Sequence, residues 1–275
     1  MAETNKKDII RTFRSQVYRY FKRKGRILPW RTDYHPYHIL VSEIMLQQTQ
    51  VDRVIDKFTL FIKTFPTLRS LSDAPLDDVL RSWQGLGYNR RAVSLRNAAI
   101  MAVRDFNGII PDNPDELKTL PGIGPATAAS IAAFAYNRPT VFLETNIRTV
   151  YIHHFFSEKQ SVRDEEILPI AEAALDRRNP RKWYSALMDY GTMLKKNYGN
   201  LSRRSVTYKK QSPFAGSNRQ LRGQILKTLV SGKKYSVDVL SRRLDRDAEA
   251  VRLQLAALIN DGMIIRSGRT YRIAQ

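Results

Sequence analysis

The chain has 275 residues, enough for two or three compact units, and its 43% apolar content is that of packed globular domains rather than of a disordered polymer. Its 46 Lys and Arg exceed its 26 Asp and Glu by a formal +20, which favours a polyanionic partner, and the absence of cysteine excludes disulfides, thiolate metal sites, cysteine-ligated iron–sulfur clusters and cysteine nucleophiles. No apolar run reaches the roughly 18–20 residues of a membrane span and the N-terminus lacks a secretory signal, so a cytoplasmic protein without a membrane partner is expected.

The dominant period is helical. In "KDIIRTFRSQVYRYFKR" the residues Ile9, Phe13, Val17 and Phe21 recur four apart on one stripe, and "HILVSEIMLQQTQVDRVIDKFTLFIKTF" repeats the pattern across two helices. Asp73 before "APLDDVLRSW" reads as a capped helix start, and "NRRAVSLRNAAIMAVRDFNG" as a helix closed by Gly108. A short helix over "NPDELKTL" precedes "LPGIGPATAAS", where Gly122 and Gly124 allow close approach and positive φ. The amides after them open a helix at Pro125, a place suited to an anion, with Leu120 and Ile123 anchoring the turn from beneath. Alone, such a turn is weak evidence, since many glycine-containing helix connections hold nothing.

Two carboxylates stand out. Glu43 interrupts an otherwise apolar helix, with Gln47, Gln48 and Thr49 a turn further on, and Glu144 follows the apolar approach "VFL" at another helix start. Each has a bland alternative: Glu43 as a satisfied buried acid, Glu144 as a helix cap. The tryptophans Trp30, Trp83 and Trp183 read as core anchors, and the four histidines show no metal-ligand spacing.

Between Lys195 and Lys234 stand eleven basic residues and no acid, interleaved with Tyr198, Tyr208 and Phe214, which reads as an extended connector that tracks phosphates or, blandly, as a soluble linker. Beyond it, helices over 219–230, 236–244 and 247–260 and a hairpin turned at Ser267 and Gly268 resemble a winged helix. Arg252 lies on the third helix and Arg266, Arg269 and Arg272 on the wing. Winged helices also dock proteins, so that alternative stands.

The ordered set "PWR", "SEIMLQQTQV", "GLGYNRRA", "LPGIGPATA", "LETNIR" and "WYSALMDYG" resembles the helix-hairpin-helix DNA glycosylases, most of all the MutY adenine glycosylase branch, over residues 29–194. The resemblance implies an all-α two-lobed core with its active site in the interlobe cleft, followed by the small winged-helix α+β domain. The core is expected over 1–212, with a six-helix lobe at about 32–140 and a second lobe from 1–31 plus 141–212, and the winged helix over 213–275. It implies a target base flipped out of double-stranded DNA. Glu43 matches the acid that protonates the leaving purine, Glu144 falls where the family has an aspartate that stabilises the oxocarbenium-like sugar, and Asn146 stands beside them. Gln48 and Tyr88 match residues that enter the duplex, Gly122, Gly124, Pro125 and Thr127 form the hairpin that holds the backbone, and Arg252, Arg266 and Arg269 add contacts from the wing. The physics agrees: breaking a C–N bond to a base needs a proton for the ring and a negative field for the sugar.

Three departures bear on the activity. Ala126 stands where bifunctional relatives carry a Schiff-base lysine, so a monofunctional glycosylase is expected. Glu144 is one methylene longer than the family aspartate. No ligands exist for the iron–sulfur cluster many relatives carry, so no cofactor is expected, apart from a Na⁺ or K⁺ at the hairpin suggested by the resemblance alone. The expected function is base excision repair of a mispaired or damaged base, adenine opposite guanine or oxidised guanine, by a nucleoid-associated monomer. The alternatives are a mismatch-specific thymine or uracil glycosylase, and a non-catalytic damage-binding protein on the same scaffold.

Overall fold

Apolar side chains spaced three and four apart, with polar breaks between them, build fourteen α-helices, beside two 3-10 turns at Pro29–Arg31 and Leu201–Arg204, in the described residues of the computed structural model, 3–211 and 213–274, with side chains described from Lys7 onward. Positions 1, 2, 212 and 275 of the expected domain limits lie outside that set. The helices are α1 (Glu3–Lys24), α2 (Pro36–Leu46), α3 (Val51–Thr64), α4 (Leu68–Asp73), α5 (Leu76–Ser82), α6 (Arg90–Asp105), α7 (Pro114–Leu117), α8 (Pro125–Tyr136), α9 (Thr145–Phe155), α10 (Asp164–Ala174), α11 (Pro180–Tyr198), α12 (Asn218–Leu229), α13 (Val237–Leu244) and α14 (Ala248–Asn260). A two-stranded antiparallel sheet, β1 (Ile264–Ser267) and β2 (Thr270–Ile273), follows in the register Ile264 to Ile273. None of the described helices is long and apolar enough to cross a membrane.

The chain divides into two compact units. The first takes Met1–Ile39, Asp112–Lys118 and Ile123–Lys210. Its centre is α11, whose Trp183, Leu187, Tyr190 and Leu194 are buried against α1, α8 and α9. On α1 Phe13 and Val17 of the expected stripe are buried and Phe21 is half-buried, whereas Ile9 is 41% exposed and Ile10 takes its place on the inward face. Alanine-rich α8 is buried from Ala128 to Ala135, because small side chains let its backbone approach α11 closely. Asn137, at φ 54°, ends it in the left-handed conformation.

The second unit takes Leu40–Pro111, Thr119–Gly122 and Gln211–Gln275. Leu40, Val41, Ile44 and Met45 of α2 are fully buried, and Phe61 on α3 meets Trp83 edge to face at 5.9 Å. Asp73 does not cap the next helix as expected: it ends α4, which is capped at its start by Thr67 with Ser70, and α5 begins after Pro75 without a side-chain cap. In the C-terminal part, α12, α13 and α14 pack together, each started by a side-chain cap from Ser217, Ser236 and Asp247. The hairpin turns at Gly268 and Arg269 rather than at Ser267 and Gly268. Ser267 pairs with Thr270 in the ladder, and Gly268 supplies the positive φ of 62°.

Candidate nucleic-acid and catalytic site

In the second unit, Glu43 sits one turn before the end of α2, half-buried between fully buried Ser42 and Ile44. A carboxyl in that setting is held on a helix that cannot rotate, since its neighbours are locked in the core. The helix ends at Leu46, and its C-terminal carbonyls would be orphans. Arg91 takes them: its guanidinium donates to the carbonyls of Ile44 at 3.0 Å and Met45 at 2.8 Å and to the carbonyl of Gln47, and on its other arm to Thr49 Oγ1 at 3.0 Å and Gly87 O at 3.1 Å. Burial pushes the Arg91 pKa down to about 10, so the cation survives at neutral pH. This residue was missed at the sequence level. The available signal was electrostatic: Arg90 and Arg91 open α6, where the helix dipole disfavours cations, and such a pair needs partners elsewhere.

Arg91 fastens two segments that carry Gln48 and Tyr88. Both residues have positive φ, 55° and 46°, a conformation that non-glycine residues seldom adopt and that turns their side chains out of the paths of α2 and α6. Gln47 Nε2 donates to the Gly122 carbonyl at 3.3 Å, tying the glycine turn to the end of α2. Gly122 has φ 82°, and a Cβ there would lie 2.7 Å from Ser94 Cβ, so both conformation and space require glycine. Gly124 corrects the expectation: its φ is −85° and a Cβ would meet nothing within 4 Å, so it serves as an exposed N-cap, not as a left-handed turn residue.

In the first unit, Ile123 is buried, and Gly124, Pro125 and Ala126 are exposed at the N-terminus of α8, with Thr127 half-buried in its first turn. Pro125 occupies the first helical position, where its missing N–H costs nothing. Glu144 caps α9: its Oε1 accepts from the amides of Asn146 at 2.8 Å and Ile147 at 3.0 Å. Burial raises the Glu144 carboxyl above its ordinary range, opposed by those two amides and by the Arg148 cation. Asn146 is held from behind by Gly191 of α11, where a Cβ would fall 2.4 Å from the Asn146 carbonyl oxygen. The motifs "PWR" and "MDYG" also meet: Arg31 grips Asp189 at 3.0 and 3.1 Å, and Arg26 donates to it from its backbone at 2.8 Å and from Nε at 2.7 Å. Neither the Gly191 contact nor this ion cluster was read from the sequence.

The basic stretch is more ordered than expected, since it starts within α11 and contains all of α12. Arg204 spends its guanidinium on the carbonyls of Phe156, Ser157 and Lys159, fastening the stretch to the loop after α9. Arg252 on α14 pairs with Glu249 at 3.0 Å, Arg266 donates to the Gly268 carbonyl at 2.9 Å, and Arg269 is exposed in the turn. The donor set does not fit a cysteine-ligated cluster, because the chain has no cysteine.

Residues 41–172 match the HhH-GPD superfamily, described as base excision DNA repair protein. An adenine DNA glycosylase from Mycolicibacterium smegmatis is 33% identical over 276 aligned positions, covering 87% of this chain and 88% of the relative. The chain belongs to the HhH-GPD superfamily. An adenine DNA glycosylase of Buchnera aphidicola from Baizongia pistaciae is 39% identical over 178 residues, which is 64% of this chain but only 50% of that protein. The chain thus spans about half the length of that relative. The HhH-GPD fold is also that of a thermostable thymine-DNA glycosylase, with a TM-score of 0.60 at 23% identity over 69% of this chain and 88% of that one.

Proposed function

We propose that this chain is a monofunctional DNA glycosylase of base excision repair that removes adenine from mispairs with guanine or oxidised guanine. The observation that carries the reading is the similarity to the mycobacterial adenine DNA glycosylase over nearly its whole length. In this reading Glu43 gives a proton to the flipped purine as the C1′–N9 bond breaks, the bonding pair leaving with the base. The carboxylate of Glu144 balances the charge that develops on the sugar, and a water then adds to C1′ as its proton passes to the Glu43 carboxylate left by the first step. Ionised Glu144 is favoured by the α9 N-terminus and disfavoured by burial, and an arriving cationic sugar shifts that balance toward the ionised form. Asn146 sits at the same helix start, held by Gly191. Gln48 and Tyr88 enter the duplex, the turn from Gly122 to Thr127 holds a backbone phosphate, and Arg252, Arg266 and Arg269 of a winged-helix domain over 213–275 extend the contact. With Ala126 in the turn, strand cleavage by a Schiff base is not part of the reaction. Capping of α9 by Glu144 favours one second reading, a damage-binding protein without catalysis.

A single-turnover assay on labelled duplexes with adenine, thymine or uracil opposite guanine, oxidised guanine and other bases decides between them. Adenine release by the wild type, slowed about 10²- to 10⁴-fold by Glu43→Gln, is the expected result. Tight binding with no release from any duplex would overturn the catalytic reading.

A further inference from the structure

The side-chain tips of Gln48 and Tyr88 are both occupied by the C-terminal part of the chain. Gln211 Nε2 donates to Gln48 Oε1 at 2.9 Å and to Tyr88 OH at 2.6 Å, and Arg219 at the start of α12 also donates to that hydroxyl. Two guanidiniums approach the Tyr88 ring, Arg91 at 5.4 Å and Arg219 at 5.3 Å from its centroid. Arg222, Leu226 and Met263 complete a cavity of about 300 Å³ over the pair. The contact is anchored at its far side by Arg81 Nη2, which donates to the Val230 carbonyl at 3.2 Å after α12.

These contacts and duplex entry are mutually exclusive. A glutamine and a tyrosine that fill a gap in stacked DNA must present their tips to bases, and here the tips hold Gln211 and Arg219. The charges point the same way. Arg90, Arg91, Arg219 and Arg222 all line the cavity, and Asp261 serves as a shared counter-ion for Arg90, at 3.4 Å, and Arg222. Gathering like charges is unfavourable, and an approaching polyanion both relieves it and competes for the same groups. Among the described residues, 205–211 and 213–217 form no helix, so opening α12 away from Gln48 and Tyr88 need not break one there.

We infer that Gln211 together with Arg219 and Arg222 of α12 forms a built-in competitor of DNA, a latch that closes over Gln48 and Tyr88 in the free protein and that duplex must displace. The inference rests on the proposed function only in taking those two residues as the ones that enter the duplex. A latch lowers apparent affinity by the fraction of molecules that are open, so weakening it raises affinity toward the intrinsic value. Gln211→Ala removes both of its bonds without changing charge, and Tyr88→Phe removes the shared hydroxyl while keeping the ring.

Two measurements test it on the full chain. Because the wild type has no cysteine, Leu60→Cys on α3 together with Ser231→Cys after α12 accepts a donor and an acceptor dye cleanly. Energy transfer is expected to fall when undamaged duplex binds. Gln211→Ala and Tyr88→Phe are each expected to tighten binding of that duplex roughly 3- to 10-fold, the size set by losing one or two exposed hydrogen bonds. Bound duplex with unchanged energy transfer, or variants that bind no more tightly than wild type, would overturn the latch and leave the glycosylase reading intact. Failure of the wild type and both variants to bind duplex at all would overturn that reading instead.

Discussion

The two units solve the same problem with opposite chemistry. Each must hold a carboxylate-bearing helix in a fixed place, and each does so with a buried arginine. In the first unit Arg31, 9% exposed, meets the carboxylate of Asp189, 1% exposed, and Arg26 joins them: charge is answered by charge. In the second unit Arg91 meets only neutral acceptors, chiefly the carbonyls that end α2. The difference teaches how each region fails. Removing one member of a buried ion cluster strands the other charges, whereas removing a cation from a set of carbonyls strands dipoles that relaxation or water can partly satisfy.

The largest effect is therefore expected at Asp189. Asp189→Ala leaves Arg31 buried without a counter-charge and should lower the unfolding free energy by about 3–5 kcal/mol in denaturant titrations. Arg91→Met, which keeps most of the stem but none of the donors, should cost about 2–3 kcal/mol. Hydrogen exchange should then speed up first at the end of α2 and in the loop before α6, with α11 unaffected. If Arg91→Met proved the more destabilising of the two, the distinction between stranded charge and stranded dipole would not hold here.

The same contrast explains what was legible in the sequence. Periodicity and caps gave the helices to within a residue or two at most ends, because local spacing decides them; α14 and the cap at Glu144 are examples. The pairing of α11 with α9 was not legible, since Gly191 matters only through an Asn146 carbonyl 45 positions earlier in the chain. Likewise "PWR" and "MDYG" stand as separate motifs in the sequence, and their joint role appears only when folding brings Arg31 and Asp189 together. Gly124 misled because a glycine can serve an N-cap as well as a left-handed turn, and composition does not separate the two. The bonds from Gln211 to Gln48 and Tyr88 lay beyond any motif, joining positions 163 and 123 apart in the sequence.

Acid offers the mildest way to separate the units. In the first, His154 packs edge-on to Phe13 at 5.0 Å, stacks on Tyr190 at 5.6 Å and faces the Tyr190 hydroxyl at 3.1 Å, one residue from Asp189. Burial, aided by the neighbouring His153, pushes its pKa down to about 4 from an ordinary value of 6.5. The folded form thus refuses a proton that the unfolded chain accepts. Between pH 6.5 and 4 the unfolded state binds more protons, so stability falls as the pH is lowered through that window and is fully present above it. The slope can reach no more than about 1.4 kcal/mol per pH unit for one group, and a partly accessible ring should deliver less. His154→Gln keeps a partner for the Tyr190 hydroxyl but cannot titrate, so it should flatten the stability profile between pH 6.5 and 4. Arg91 and its carbonyls do not titrate in that range, so hydrogen exchange at the end of α2 should stay constant while that of α9 and α11 rises with acid, after correction for the intrinsic rate. Equal acid sensitivity in both regions, or an unchanged slope in His154→Gln, would mean that another group carries the effect.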